Sequence, residues 1–235
     1  RQTLMFSATM PPKIRAMSRK IMKDPAEIAL EMSKPADGVT QTVYMLQDHH
    51  KLPLIKNLID DNPEFRSILI FSSTKKKVNE IVRGLRSNDY LVEGISSDLG
   101  QDEREEMLLR FRSGRSRVLV ATDVLSRGID IKDINMVINF DAPSDAEDYV
   151  HRVGRTARAE KSGLAVTLIT RDDLYKMKRI EKLIGYKVNT GQLPDFIAKQ
   201  LAKHPAAQTS VNKPGNNRFR RRNNYKGKKK AGKRI

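Results

Sequence analysis

A cluster of polar residues follows a short apolar run in the middle of the chain. Residues 118–121 are β-branched or otherwise apolar, which is typical of a buried strand in a parallel sheet. Hydroxyl, carboxylate, guanidinium and glycine residues follow directly, namely Thr122, Asp123, Ser126, Arg127, Gly128 and Asp130. Because open α/β sheets bind ligands in the crevice beyond the carboxyl ends of their strands, this segment is a candidate binding site.

A second candidate segment lies downstream and is rich in arginine. Residues 151–158 contain His151, Arg152, Arg155 and Arg158. A planar guanidinium binds two phosphate oxygens at once, so a dense group of arginines is suited to phosphate binding. The i, i+3 spacing of Arg155 and Arg158 places both side chains on one face of a helical turn.

Five motifs of this chain resemble those of the DEAD-box RNA helicases and follow the order found in that family. ATDVLSRGID at residues 121–130 resembles motif V, and HRVGRTAR at 151–158 resembles motif VI. Residues 6–11 resemble motif III, residues 70–74 motif IV, and residues 101–104 the Q-x-x-R of motif IVa. The sequences of these motifs most resemble those of the bacterial RhlE-like branch of the family.

The resemblance implies a role for each matching residue. Arg155 and Arg158 would bind ATP and act as catalytic arginine fingers at its γ-phosphate, and Asp130 would bind the ribose. The residues implied in contacts to the RNA backbone are Ser73, Thr74, Gln101, Arg104, Thr122, Arg127 and Gly128, and those implied in coupling between lobes are Ser7, Thr9, His151 and Arg152. Ordinary helix-start chemistry remains an alternative for Gln101 and Arg104, as a cap or turn does for Asp130.

Two motifs that an ATPase needs do not occur in this chain. It contains neither the phosphate-loop pattern G-x-x-x-x-G-K-[ST] nor Asp-Glu-Ala-Asp. The resemblance therefore implies that Mg²⁺ and most of the ATP are held by an N-terminal helicase lobe of the same protein. We expect this chain to contribute half of an active site, to hold no metal itself, and to be inactive alone.

Strand and helix patterns alternate around the candidate segments. Strands are predicted at residues 39–46, 68–71, 91–95, 118–121, 136–139 and 165–169, and helices at 52–59, 75–85, 101–111, 146–153 and 172–184. This alternation predicts an α/β fold, a doubly wound parallel sheet with helices on both faces. That architecture agrees with the RecA-like C-terminal lobe of a helicase, which the resemblance implies. Upstream, strands are predicted at 3–6 and 26–30, with an amphipathic helix between them.

Charge is spread unevenly along the 235 residues, whose formal net charge is +17. Residues 201–235 contain 12 of the Lys and Arg residues and no Asp or Glu, which suits binding to a polyanion. We therefore predict three parts. Residues 1–32 are the end of an N-terminal helicase lobe with a linker, residues 33–190 are the C-terminal RecA-like domain, and residues 191–235 are a basic, disordered tail. Within the tail, one or two further helical turns are left open at 193–201, and no fixed fold is expected from residue 205 on.

Composition excludes several other classes of protein and site. The chain has no cysteine, which excludes disulfides and Cys-based zinc sites and is typical of the reducing cytoplasm, where we expect the protein. No apolar run is long enough to span a bilayer, so no membrane is predicted as a partner. The predicted function is the C-terminal lobe of an ATP-dependent RNA helicase, which couples ATP hydrolysis to local unwinding of RNA duplexes. Two alternatives remain, a DNA translocase of the same superfamily and an ATP-independent RNA-binding or chaperone module that acts through the tail.

Overall fold

A seven-stranded parallel sheet forms the centre of the computed structural model, which describes residues 2–6, 10, 12–28, 38–123, 134–156 and 163–203. Its strands are β1 (Val39–Met45), β2 (Ile68–Phe71), β3 (Val92–Ile95), β4 (Val118–Ala121), β5 (Met136–Asn139), β6 (Gly163–Ile169) and β7 (Asn189–Thr190). Their spatial order is β3-β4-β2-β5-β6-β1-β7, and every neighbouring pair is parallel.

Helices pack on both faces of this sheet. The helices are α1 (Pro12–Ile21), α2 (Asp48–Asp60), α3 (Lys75–Arg86), α4 (Gln101–Arg112), α5 (Ala146–Val153), α6 (Leu174–Ile184) and α7 (Asp195–Lys203). Side chains of α2, α3 and α7, such as Ile197, pack with Ile70 of β2. The next residue of that strand, Phe71, points to the opposite face and packs with Phe111 of α4, on the side where α5 and α6 also lie. The predicted doubly wound α/β fold is confirmed.

The segment before residue 38 departs from the prediction. Residues 3–6 form no strand, and neither do residues 26–28, because no described strand offers their backbone a hydrogen-bonding partner. Helix α1 forms as predicted, but Met17 and Ile21 on its apolar face are exposed. This face is therefore not part of the core of the lobe.

The fold continues past residue 190, where the basic tail was predicted to begin. The short strand β7 pairs with β1, and α7 follows it. Leu193, Ile197 and Leu201 recur at helical spacing and pack on the main core, where Ile197 is completely buried. The folded lobe therefore extends to residue 203, through the helical turns that the sequence left open at 193–201, and the remainder of the tail, 204–235, lies outside the described residues.

The last predicted helix of the domain begins later than residue 172, because a 3₁₀ turn at Arg171–Asp173 precedes α6. The carboxylate of Asp173 accepts hydrogen bonds from the backbone N–H and the hydroxyl of Thr170 at 3.2 and 3.0 Å. It also accepts one from Lys176 at 2.8 Å. Burial alone would raise the pKa of Asp173, but these hydrogen bonds outweigh it and hold the pKa below its ordinary value.

The described ranges contain neither a membrane-spanning helix nor a cluster of metal-binding side chains. No helix there combines the length and the apolar character that crossing a bilayer requires. In the same ranges, no three His, Cys, Asp or Glu side chains lie close enough together to share a metal ion.

Candidate functional site

The carboxyl ends of neighbouring strands bring the predicted site segments side by side. Strand β4 leads into Thr122 and Asp123, β2 leads into residues 72–74, and β5 leads into residues 140–141. Backbone hydrogen bonds continue beyond the strands, from Ser72 N–H to Ala121 O at 3.0 Å and from Phe140 N–H to Phe71 O at 2.8 Å. The first polar residues after each strand are therefore held at one edge of the sheet, where α/β folds bind ligands.

Arg152 is the buried centre of this edge. Its guanidinium donates to both carboxylate oxygens of Asp123, from Nε at 2.6 Å and from Nη2 at 2.5 Å. Nη1 donates to Oδ1 of Asn139 at 3.0 Å and to the backbone oxygen of Asp141 at 3.1 Å. The cation also lies 5.1 Å from the ring centroid of Phe71, within the range of a cation–π interaction. One side chain thus ties α5 to the ends of β4, β5 and β2.

The burial of Arg152 bears on its predicted role in coupling between lobes. Its side chain is 3% exposed, and its hydrogen bonds all point into the lobe. Any interlobe role of Arg152 is therefore indirect, through the backbone that it fixes. Asn139 is equally buried and donates to the Thr167 hydroxyl at 3.1 Å, which leaves its carbonyl oxygen facing Arg152.

The backbone around Arg155 is fixed on both sides. Helix α5 ends at Val153, and Gly154 caps it. Thr156 is buried, donates its hydroxyl proton to Ile134 O, and pairs with Ile134 in an isolated parallel bridge. Arg155 itself is half-buried. His151, also half-buried, lies one turn earlier on α5.

The hydroxyl groups after β2 have different amounts of freedom. Ser73 and Thr74 are both exposed, but the N–H and hydroxyl of Ser73 donate to Asp141 at 3.1 and 2.9 Å. Thr74 begins α3, where its side-chain oxygen accepts from Lys77 N–H at 3.3 Å. Accepting that bond leaves the Thr74 hydroxyl proton available to a ligand, whereas the Ser73 proton is already used. Thr122 is half-buried at the end of β4.

Gln101 and Arg104 lie in the first turn of α4 and make local contacts. The amide of Gln101 donates to Glu105 at 2.8 Å, an ordinary i, i+4 pair. Arg104 reaches the loop after β3 through a 3.4 Å contact from Nη2 to Ser97 O. The helix-start interpretation therefore accounts for the side chain of Gln101 without a ligand.

Six of the predicted site residues lie outside the described ranges, namely Ser7, Thr9, Arg127, Gly128, Asp130 and Arg158. Their predicted roles stay predictions.

An ionic network around Asp141 was not predicted from the sequence. The Asp141 side chain is 8% exposed and accepts from Lys77 Nζ at 2.6 Å as well as from Ser73. Lys51, which is fully buried, places its ammonium 3.5 Å from Asp141 and 2.9 Å from Asp48, although neither contact has good hydrogen-bond geometry. The only signal in the sequence that pointed to Asp141 was a carboxylate two residues after the end of a predicted strand.

The network keeps Asp141 ionised despite its burial. Burial alone would raise the pKa of this carboxyl, but the hydrogen bonds from Lys77 and Ser73 and the charge of Lys51 outweigh it. The pKa of Asp141 therefore lies below its ordinary value. The ring of Phe140 lies under both ammonium groups, 5.0 Å from Lys51 and 5.8 Å from Lys77.

Comparisons with known proteins agree with this fold. The family described as "Helicase conserved C-terminal domain" matches residues 50–160. The ATP-dependent RNA helicase eIF4A of Kluyveromyces lactis is 36% identical over 200 residues, which are 84% of this chain and 50% of that protein. The chain thus spans about half the length of this curated relative.

Solved structures show the same likeness. The E. coli DEAD-box protein SrmB, solved bound to RraA, is 32% identical with a TM-score of 0.62, covering 69% of this chain and 95% of that one. The S. cerevisiae protein Dbp5, solved with RNA and ADP BeF3, is 30% identical with a TM-score of 0.70, covering 84% of this chain and 54% of that one.

Proposed function

This chain belongs to the DEAD-box helicase family, and we propose that it forms the C-terminal RecA-like lobe of an ATP-dependent RNA helicase. The observation that carries the proposal is the buried fork of Arg152 on Asp123, which locks the motif V and motif VI segments together at the ligand-binding edge of the sheet. The Dbp5 structure with RNA and ADP BeF3 supports a lobe of this fold acting on both ligands.

The nucleotide half of the proposed site is the segment after α5. Arg155 emerges there between the cap of α5 and the buried Thr156. Its guanidinium would neutralise negative charge that develops on the transferring γ-phosphoryl group. Asp130 and Arg158 complete this half as the ribose contact and the second arginine finger. Because the backbone on both sides of Arg155 is anchored, its side chain reaches the phosphoryl group from a fixed origin.

The RNA half of the proposed site lies at the edge of the sheet beyond β3, β4 and β2, and it includes the first turn of α4. Thr74 and Thr122 present hydroxyls, and Arg104, Arg127 and Gly128 add guanidinium and backbone N–H groups. Such groups bind phosphate and sugar without reading base edges, which suits an enzyme that acts on many RNA sequences. We do not include Gln101 as a contact, because its amide is already paired with Glu105.

Magnesium does not fit those residues of this lobe that the structure describes. The described part of the chain offers no group of three carboxylates or imidazoles, and the sequence has no phosphate loop. We therefore propose that an N-terminal helicase lobe of the same protein supplies the Mg²⁺ ligands and most of the ATP contacts. His151 would contact that lobe when it closes, and Ser7 and Thr9, which belong to the end of that lobe, would take part in the same interlobe coupling. Closure on ATP and RNA would complete the site, and hydrolysis would reopen it after local separation of the RNA strands.

The test is ATP turnover by the full-length protein at saturating RNA. Arginine fingers contribute about 10³–10⁵ in rate, and a lysine keeps the charge but loses the fork, so we expect Arg155→Lys to lower kcat at least tenfold, roughly. The matched control is Arg66→Lys, because Arg66 is an exposed arginine at the opposite edge of the sheet, just before β2. Its kcat should match that of the wild type.

The outcome also separates the alternatives. Stimulation by DNA rather than RNA would indicate a DNA translocase, and RNA binding without any turnover would indicate an RNA-binding module. A normal kcat in Arg155→Lys would show that the nucleotide half of the site has been placed wrongly.

A further inference from the structure

Asp141 touches both halves of the proposed site. Its backbone oxygen accepts a hydrogen bond from Arg152 at 3.1 Å, on the nucleotide side. Its side chain accepts from the N–H and the hydroxyl of Ser73, at 3.1 and 2.9 Å, on the RNA side. Ser73 directly precedes Thr74, and Arg152 holds the helix that leads to Arg155. A single residue therefore connects the backbone of the two halves.

The orientation of the Asp141 carboxylate is fixed from the opposite side. Oδ1 faces the ammonium groups of Lys77 at 2.6 Å and Lys51 at 3.5 Å, while Oδ2 faces Ser73. Each oxygen thus has donors only. An ionised carboxylate is the one side chain of this size that accepts on both oxygens, and burying it is costly unless these partners are present.

We propose that Asp141 is a positioning residue that holds the Ser73–Thr74 turn in its RNA-binding geometry relative to Arg152. The inference rests on the proposed function, since it assumes that Thr74 contacts RNA. Asp141 would not touch RNA or ATP itself. Its carboxylate would fix the position of the Thr74 hydroxyl. RNA bound at this turn would then keep a constant position relative to the segment that carries Arg155.

The substitution Asp141→Asn separates a positioning role from a purely electrostatic one, because the two roles predict opposite changes in RNA affinity. Asparagine keeps the size of the side chain but turns one accepting oxygen into an NH₂ group, which faces either the Ser73 donors or the lysines. Either the hydrogen bonds that hold the Ser73–Thr74 turn or the contacts of Lys77 and Lys51 with the side chain are then lost. Asparagine also removes a negative charge near a polyanion, and that effect alone would tighten RNA binding. Positioning predicts weaker binding instead.

Asp173 provides a matched control. It follows β6 at the same edge of the sheet, and it accepts from the N–H and hydroxyl of Thr170 and from Lys176, as Asp141 does from Ser73 and Lys77. Asp173→Asn therefore removes the same charge and the same kinds of hydrogen bond. It leaves the Ser73–Thr74 turn in place.

The experiment measures ATP hydrolysis by the full-length protein as a function of RNA concentration. It gives two separate quantities, the RNA concentration for half-maximal stimulation and the kcat at saturating RNA. Hydrogen bonds to a charged group are strong enough for a change of about tenfold or more. We expect Asp141→Asn to raise the half-maximal RNA concentration by about tenfold, a larger factor than its effect on kcat, and Asp173→Asn to change it by less than about twofold. An unchanged or lower value in Asp141→Asn, or equal shifts in both variants, would overturn the inference.

A second variant keeps the test decisive if Asp141→Asn does not fold. Ser73→Ala changes no charge and removes one of the two hydrogen bonds from Ser73 to Asp141, so the half-maximal RNA concentration should rise about two- to tenfold. Where all variants fold, the double variant with Asp141→Asn and Ser73→Ala should bind RNA no more weakly than Asp141→Asn alone, because both substitutions break the same contact. Additive effects, or a normal value in Ser73→Ala, would contradict positioning through Asp141. A wild-type protein without RNA stimulation would instead overturn the proposed function.

Discussion

Replacing Arg152 with lysine tests the buried link between the two motif segments. Lysine keeps the positive charge but has a single nitrogen, whereas the Arg152 guanidinium makes four hydrogen bonds to Asp123, Asn139 and Asp141. The ammonium cannot reach both Asp123 oxygens and the acceptors on β5 together. At least two of the four bonds are lost, and the acceptors on β5 are left buried without a donor.

The size of the effect follows from the burial of these groups. Hydrogen bonds to charged groups contribute about 1.5–3 kcal/mol each, so the loss of two of them costs about 3–6 kcal/mol. The Asp123 side chain is 28% exposed, so water can solvate it in part, and this limits the loss in the free energy of unfolding. We therefore expect Arg152→Lys to lower the free energy of unfolding by about 3–5 kcal/mol, which is about 6–20 °C in Tm for a domain of this size.

The assay is urea unfolding of this chain followed by far-UV circular dichroism, with wild type, Arg152→Lys and Arg66→Lys compared side by side. Arg66→Lys is exposed and should stay within about 0.5 kcal/mol of the wild type. A double-mutant cycle with Asp123→Asn should show strong coupling, because the two side chains contact each other directly. If Arg152→Lys were as stable as Arg66→Lys, the fork would not hold these segments together.

Three further predictions concern parts of the lobe away from this link. Burial, and then the neighbouring His49, lower the pKa of His50, so the unfolded chain binds more protons and the free energy of unfolding should fall as pH drops through about 6.5. This pH dependence of the free energy of unfolding should weaken in His50→Asn and persist in His49→Asn. The measurement is urea unfolding of both variants at about pH 5.5 and about pH 7.5, and the same pH dependence in both would refute the prediction. Ile197→Ala should lower the free energy of unfolding by about 2–5 kcal/mol, whereas Phe196→Ala, at a more exposed site, should cost clearly less; similar costs would mean that α7 is not packed on the core. Deleting residues 204–235 should flatten the salt dependence of RNA binding by about 0.7 in log–log slope for each phosphate no longer neutralised, and an unchanged slope would assign that binding to the lobe.

The sheet was predictable because its signals are local. The strand runs at 68–71 and 118–121 are apolar throughout, and the run at 136–139 is apolar up to Asn139, since both faces of a doubly wound sheet are covered by helices. The same reasoning placed Thr122 at the ligand-binding edge, because parallel strands carry their following loops to the same side, whereas Arg152 was singled out by its arginine-rich segment and by the resemblance. In contrast, β7 has only two residues, which is too short for any periodic pattern.

The network around Asp141 was not predictable because its partners are distant in sequence. Lys77 and Ser73 precede Asp141 by 64 and 68 residues, and only the pairing of β2 with β5 brings them together. Helix α7 was underestimated for a different reason. Its polar surroundings suggested a tail, and the burial of Ile197 depends on a groove formed by other elements.

We propose that this chain supplies half of a two-lobe, RNA-dependent ATPase. The most direct measurement is the rate of ATP hydrolysis, with and without RNA, by the full-length protein and by this chain alone at equal concentration. Turnover that RNA stimulates in the full-length protein, and no turnover above buffer by the chain alone, is the predicted result. Turnover by the chain alone, or a full-length protein whose hydrolysis ignores RNA, would contradict the claim.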